Sequence, residues 1–174
     1  MISGGPGTGK TSVINELRNE FEILEEAARN LGDNDERFKG KSIREIEPQD
    51  FQDAIFEEQR KQILILQNEG ADEVIFSDRG LGDTLAYYKF RGLNISEKII
   101  DFCKEFRYAG IFVLDFLKEY KRDTLRQETE EELRQIHEMI IQTYSELGYK
   151  IIFVPCMPVA ERVKFIKEKV LSDL

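Results

Sequence analysis

A three-layer α/β fold, with five parallel strands between helical layers, is what this sequence predicts, on three observations. Apolar runs that read as strands alternate with amphipathic patterns that read as helices. The run at 109–115 is apolar almost throughout, as a parallel strand covered on both faces is, and 73–78 carries a shorter apolar run that ends in an acid. And the chain opens on a glycine-rich turn, Gly4-Gly5-Pro6-Gly7-Thr8-Gly9-Lys10-Thr11, that leads from a strand into a helix. Right-handed crossovers would join the strands, and all 174 residues are expected to form one domain.

The opening turn fits the G-x-x-x-x-G-K-[S/T] pattern of a phosphate-binding loop. Wrapping a triphosphate in backbone N–H groups needs conformations that side chains would block, and Gly4, Gly5, Gly7 and Gly9 permit them. Lys10 supplies a point charge for the β- and γ-phosphates, and the Thr11 hydroxyl can ligate Mg²⁺. Pro6, Thr8 and Ser12 complete the expected nucleotide-binding set. The helix that starts near Lys10 turns its positive dipole end on the same anion.

The preceding strand, Met1-Ile2-Ser3, is shorter than the roughly five residues usual for a buried strand, a length consistent with further residues upstream of this numbering. Val13, Ile14 and Leu17 have helical spacing, so 11–19 is a helix. A second strand is expected at 21–25, followed at its carboxyl end by Glu26-Ala27-Ala28-Arg29. That edge of an open parallel sheet is where ligands bind. The polar stretch 30–48, with Gly32 and Gly40, reads as a loop with one short helix at most. A strong helix follows over 51–68, with Phe51, Ile55, Ile63 and Leu66 as its stripe. Gln59 falls on that stripe. Facing inward, it needs a partner, either nearby backbone or the polar edge of a substrate.

Gly70 caps that helix. The strand at 73–78 delivers Asp78 to the ligand edge, as a Walker B acid that holds Mg²⁺ directly or through water, or as a simple turn aspartate. The next residue is Arg79. Hydrolytic motors commonly put a glutamate there to activate water; an arginine suits an acceptor or a transferring phosphate. Helices are expected over 80–91 and 96–107. Asp83, in the first turn of the former, is either a helix-dipole acid or a substrate contact. The fourth strand is 109–115.

From Phe116 to Glu132 the chain is dense in charge, which reads either as a solvated face or as a lid (about 117–132) over the nucleotide. Arg122 and Arg126, four apart, would share one helix face and close on the phosphates. A helix over 133–147 follows. His137, the only histidine, sits beside its apolar stripe as an ordinary boundary residue. The fifth strand is 150–154 and the last helix 159–171.

Hydrophobic residues make up 41% of the chain and the net charge is −9. That balance argues against nonspecific nucleic-acid or anionic-lipid binding, which wants a basic face. No apolar run is long enough to span a membrane, and no signal peptide is visible. Cys103 and Cys156 fit no metal-binding spacing and read as free thiols of a reducing cytoplasm.

Taken together, several stretches resemble a known family. They are the opening loop, Glu26-Ala27-Ala28-Arg29, Gln59, Asp78-Arg79-Gly80 with Asp83 and Ala86-Tyr87, Asp123-x-x-Arg126, Tyr144-x-x-Leu147-Gly148-Tyr149, Val154-Pro155 and Glu161-Arg162-Val163. In that order they resemble the AAA-domain ATPase family that includes the ribosylnicotinamide kinase domain of NAD-regulatory proteins and is related to thymidylate and deoxynucleoside kinases. The resemblance implies strand order 2-3-1-4-5. It implies Glu26 as a base or acceptor-binding acid, Arg29 and Arg79 on the acceptor or its phosphate, and Arg126 with Arg122 in the lid. The lid departs from the pattern in having no glycine after Asp123. The family also contains regulatory nucleotide-binding proteins.

The expected function is therefore a cytoplasmic ATP- and Mg²⁺-dependent phosphotransferase. Its partners would be a nucleoside triphosphate and a small hydroxylated, nucleoside-like acceptor bound between Glu26, Arg29, Gln59, Arg79 and Asp83. Lys10, Asp78, Arg79, Glu26, Arg122 and Arg126 would carry the chemistry. A regulatory ATPase- or GTPase-like module that needs no acceptor is the alternative.

Overall fold

In the computed structural model, the structure describes residues 1–41, 45–70, 73–117 and 129–173. Strands and helices alternate as expected: β1 (Ile2–Ser3), α1 (Lys10–Leu17), β2 (Glu22–Leu24), α2 (Ala27–Asn34), α3 (Pro48–Glu69), β3 (Ile75–Ser77), α4 (Leu81–Phe90), α5 (Glu97–Glu105), β4 (Ile111–Leu114), α6 (Glu130–Glu146), β5 (Ile151–Val154) and α7 (Val159–Asp173).

All strand pairs are parallel. The ladders form a three-stranded sheet, β1-β4-β5, and a two-stranded one, β2-β3. One bridge, Ile2 to Asp78, lies between them. The Arg79 N–H donates to the Ile2 carbonyl at 3.0 Å. β1 has only two residues, and both pair with β4, Ile2 opposite Phe112 and Ser3 opposite Val113. A strand that short offers β3 one bridge and no ladder.

β4 shows why helices cover both faces. All four of its residues are buried, and alternate side chains point to opposite faces. Phe112 and Leu114 pack with Val13, Ile14 and Leu17 of α1 and Val163 and Ile166 of α7. Ile111 and Val113 pack on the other side with Ile136, Ile140 and Tyr144 of α6. Further clusters join α3, α4 and α5 around Phe56, Leu81 and Tyr88, and α2 and α3 around Leu31 and Ala54.

Three boundaries differ from the sequence reading. α2 begins directly after Glu26 and runs through Gly32, within the stretch read as loop. Ala27 and Leu31 bury its inner side, and Gly32 sits where a side chain would meet nothing. α3 starts at Pro48, whose missing N–H costs nothing in a first turn, behind Glu47, which caps Gln49 and Asp50. α6 takes in Glu130, Glu131 and Glu132, assigned above to the lid, because Thr129 and Glu132 form a capping box. Acids in a first turn also complement the helix dipole.

α4 lies unusually close to α6. A Cβ added at Gly82 would come within 2.3 Å of the Tyr144 ring. Only a glycine allows this approach, and it brings the Tyr144 hydroxyl onto Asp83 at 2.7 Å.

Candidate active site

The phosphate loop is built from its own backbone. Gly4 has φ +133°, and a Cβ there would sit 2.9 Å from the Leu114 carbonyl, so neither conformation nor space admits a side chain. The Thr8 hydroxyl straps the loop by donating to the Gly5 carbonyl at 2.9 Å. Gly9 closes the loop in the left-handed region, at φ +84°, with no side-chain cap over the start of α1. The first N–H groups of α1 thus face an incoming anion. Thr11 and Ser12 are exposed there, while Lys10 is buried.

Side chains from outside the loop orient its peptides. In a trans peptide, C=O and the following N–H point in opposite directions, and the described residues contain no cis bond. The Gly5 N–H donates to His137 Nδ1 at 3.0 Å. The Gly4 carbonyl, on the other side of that peptide, accepts from Lys10 Nζ at 2.7 Å. Lys10 also donates to the Gly5 carbonyl at 2.9 Å. Burial lowers its pKa to about 7, and the neighbouring Arg79 adds to this, against Asp83, Asp78 and Glu26. His137 is held below the ordinary imidazole range, chiefly by burial. An Nδ1 that accepts from the Gly5 N–H carries no proton, the state that this burial favours. Sequence reading took His137 for an ordinary boundary residue; nothing in its flanking residues marks the loop as its partner.

A second residue, quoted above only within the Glu161-Arg162-Val163 stretch, had been given no role. Arg162, at 1% exposure, is one of the largest fully buried side chains. It donates to three backbone carbonyls: Pro155 at 3.0 Å, Thr8 at 2.5 Å and Asp115 at 3.0 Å.

The other half of the site is built from side chains. Glu26 stands at the junction of β2 and α2, and Arg79 at the end of β3. Arg79 Nε donates to Glu26 at 2.7 Å, and Arg79 Nη1 to Asp83 at 3.1 Å. Arg79 adopts a left-handed backbone, φ 68°, which costs a non-glycine residue about 1 kcal/mol. Its main chain is clamped through the Ile2 carbonyl and through the Ser77 hydroxyl, which donates to the Arg79 carbonyl at 2.5 Å. Asp83 accepts from Ser3 at 2.7 Å, from Tyr144, from Arg79 and from the Gly80 N–H. Its oxygens are committed to the protein, so Asp83 here fixes Arg79.

Burial opposes ionisation of Glu26, but the charge and hydrogen bond of Arg79, with Lys10 and Arg29, outweigh it and hold the carboxyl below its usual range. Arg29 is mostly exposed, 3.6 Å from Glu26. Asp78 is pushed the other way, by burial and then by Glu26. Its carboxylate, in a residue 5% exposed, accepts no side-chain hydrogen bond among the described residues.

A cavity of about 150 Å³ opens beside this pair, with Glu26, Phe51, Ile55, Gln59, Arg79 and Arg91 among its lining. Gln59 is buried as expected, and its oxygen accepts from the Thr84 hydroxyl at 2.7 Å. Gln52 donates to the Thr84 carbonyl at 3.2 Å. The structure thus brings Glu26, Gln59, Arg79 and Asp83 together and leaves Arg29 at the rim. Arg122 and Arg126 lie outside the described residues, as does most of the expected lid.

Fold and site together define an α/β phosphate-loop protein of nucleotide-kinase-like fold. The chain belongs to the AAA domain family, whose model matches residues 1–162. No curated protein matches it in sequence. Among solved structures, it is similar to thymidylate kinase from Ehrlichia chaffeensis, at 13% identity and a TM-score of 0.67, over 97% of this chain and 96% of that one. It is also similar to the deoxyadenosine kinase of M. mycoides with products dCMP and a flexible dCDP bound, at 16% identity and a TM-score of 0.62, over 98% and 97%. At these identities the likeness establishes the fold. No helix among the described residues is long and apolar enough to cross a membrane.

Proposed function

We propose that this protein transfers the γ-phosphoryl group of ATP to a hydroxyl of a small, nucleoside-like acceptor. The observation that carries the reading is the cavity beside Glu26 and Arg79, whose charges bear on Lys10 of the phosphate loop. Phosphoryl transfer needs positioning and charge neutralisation more than covalent chemistry, and this cleft offers both.

In this reading Lys10 releases the Gly4 and Gly5 carbonyls for the β- and γ-phosphates, and the ligand's charge restores its ammonium. The loop and the start of α1 hold the same oxygens. Phe51 and Ile55 offer an apolar wall to the acceptor's ring, with Gln59 at its polar edge. Glu26 accepts a hydrogen bond from the attacking hydroxyl and aligns it. The acceptor oxygen forms its bond to phosphorus as the bond to the departing ADP oxygen breaks, and the hydroxyl proton leaves through Glu26. Arg79, fixed by Asp83, stabilises charge on the transferring group.

Mg²⁺ fits the site. Asp78, whose carboxylate accepts no side-chain hydrogen bond among the described residues, and an exposed hydroxyl, Thr11, supply the hard oxygen ligands it prefers. Bound there, it would neutralise phosphate charge. The same reading takes the two sheets as one, of order 2-3-1-4-5, joined at the Ile2–Asp78 bridge.

The test is a γ-phosphate transfer screen over nucleosides and related alcohols, with a no-acceptor control. Transfer confined to one acceptor class is expected. Hydrolysis at one rate with every acceptor would sink the kinase reading in favour of a regulatory nucleotide-binding module.

A further inference from the structure

We propose that Arg162 is a positioning residue of the nucleotide site, which sets the direction of the Gly9 N–H from behind the phosphate loop. The inference rests on the nucleotide-binding half of the reading above and not on transfer to an acceptor.

The position of Arg162 requires explanation. A fully buried guanidinium is costly unless its N–H groups are all matched. Here each of its three nitrogens donates to a main-chain carbonyl, and no carboxylate lies within ion-pair distance of it among the described residues. The three carbonyls come from three separate segments: the loop at Thr8, the end of β4 at Asp115 and the end of β5 at Pro155. A planar fork with five donors can satisfy three such directions at once; a lysine ammonium on a flexible stem holds none of them in a plane.

The consequence lies across the peptide bond. Arg162 holds the Thr8 carbonyl on its own side of the loop. The bond is trans, so the Gly9 N–H points away from Arg162, toward the concave face of the loop where phosphate would lie. Gly9 is the residue with most freedom to undo this. It is a glycine at φ +84°, with Arg162 Nη1 3.5 Å from the position of an added Cβ. Released, the Thr8–Gly9 peptide could rotate and present a carbonyl to the anion instead of a donor. The guanidinium also puts a positive charge, paired with no carboxylate among the described residues, behind the loop, in a chain of net charge −9. Fixed donors and charges of this kind act without reorganising when the ligand arrives.

The experiment is MgATP titration of the wild-type chain, Arg162→Met and Arg162→Lys by calorimetry, with Ile99→Ala as a control. Ile99 is buried in the α3–α5 cluster, so its truncation lowers the melting temperature without touching the loop. Each protein is measured well below its own midpoint. Arg162→Met should weaken MgATP binding roughly 10- to 100-fold, as misplacement of a binding group does, and Arg162→Lys should do so nearly as much. Ile99→Ala should stay within twofold of wild type. The amide resonance of Gly9 should shift on MgATP addition in wild type and stay put in the arginine variants. A folded Arg162→Met that binds MgATP within twofold of wild type overturns the proposal. If Arg162→Met does not fold, the same result with Arg162→Lys overturns it. Wild-type protein that binds MgATP but phosphorylates no alcohol removes the kinase reading alone. Wild-type protein that binds no MgATP removes both.

Discussion

The loop half of the cleft and the half around Glu26 and Arg79 are made in opposite ways. From Gly4 to Thr11 the chain offers main-chain groups in one contiguous stretch. Two residues far away in sequence, His137 and Arg162, secure it from behind. Around Glu26 and Arg79 the working groups are side chains from three helices and a strand end, and their charges already neutralise one another. On the reading proposed above, the first half would bind by backbone geometry, with Lys10 the charged side chain of the loop itself, and the second would select by shape and hydrogen bonding, with several residues sharing the task.

If that contrast is right, the largest effect belongs to Lys10. Lys10→Ala should lower MgATP turnover by about three orders of magnitude or more, since it removes the charge that meets the transferring group. Initial rates in a coupled ADP assay would show it, and a variant within tenfold of wild type would break the contrast at its strongest point. Glu26→Gln should lower transfer roughly 100-fold, the scale of a positioned proton acceptor, while calorimetric MgATP binding stays as in wild type. A matching loss of MgATP affinity would mean that the halves are not separable. Gln59→Leu should raise the acceptor KM about tenfold with little change in kcat, the pattern of lost uniform binding; a fall in kcat alone would move Gln59 from selection to chemistry.

The smallest effect is a pH dependence at His137. Its pKa is lowered from 6.5 by burial, with Asp115 opposing and Lys10 assisting. The unfolded chain therefore takes up this proton first. The stabilisation is full above pH 6.5 and is lost as pH falls below that value. His137→Gln keeps an acceptor for the Gly5 N–H but does not titrate. Thermal midpoints between pH 5 and 8 should separate the two proteins on the acid side only, and parallel curves would remove the linkage.

The two halves also differed in how legible they were. The loop could be read because its chemistry is contiguous: the glycines, Lys10 and Thr11 stand in the order they are used. Glu26, Asp78 and Arg79 could be placed because each follows an apolar run that ends at the ligand edge. The helical start at Ala27 was hidden by Gly32, and the first turn of α6 by a run of glutamates that reads as charge before it reads as a cap. Arg162 and His137 were illegible as loop supports for a physical reason. Their partners are main-chain atoms more than a hundred residues away, and a carbonyl or N–H carries no residue identity to recognise. Asp83 is the first-turn acid of α4 that the sequence allowed, but its further donors Ser3 and Tyr144 could not be read, because they meet it only once α4 closes on α6.

That closure makes α6 a gauge between the two halves. One of its side chains, His137, touches the Gly5 amide; another, Tyr144, two turns on, touches the carboxylate that fixes Arg79. Seven residues at 1.5 Å each set these two contacts about 10 Å apart along a single rigid rod. Loop and cavity are thus spaced by the pitch of a helix, and neither can shift along it without dragging or breaking its tie to the other.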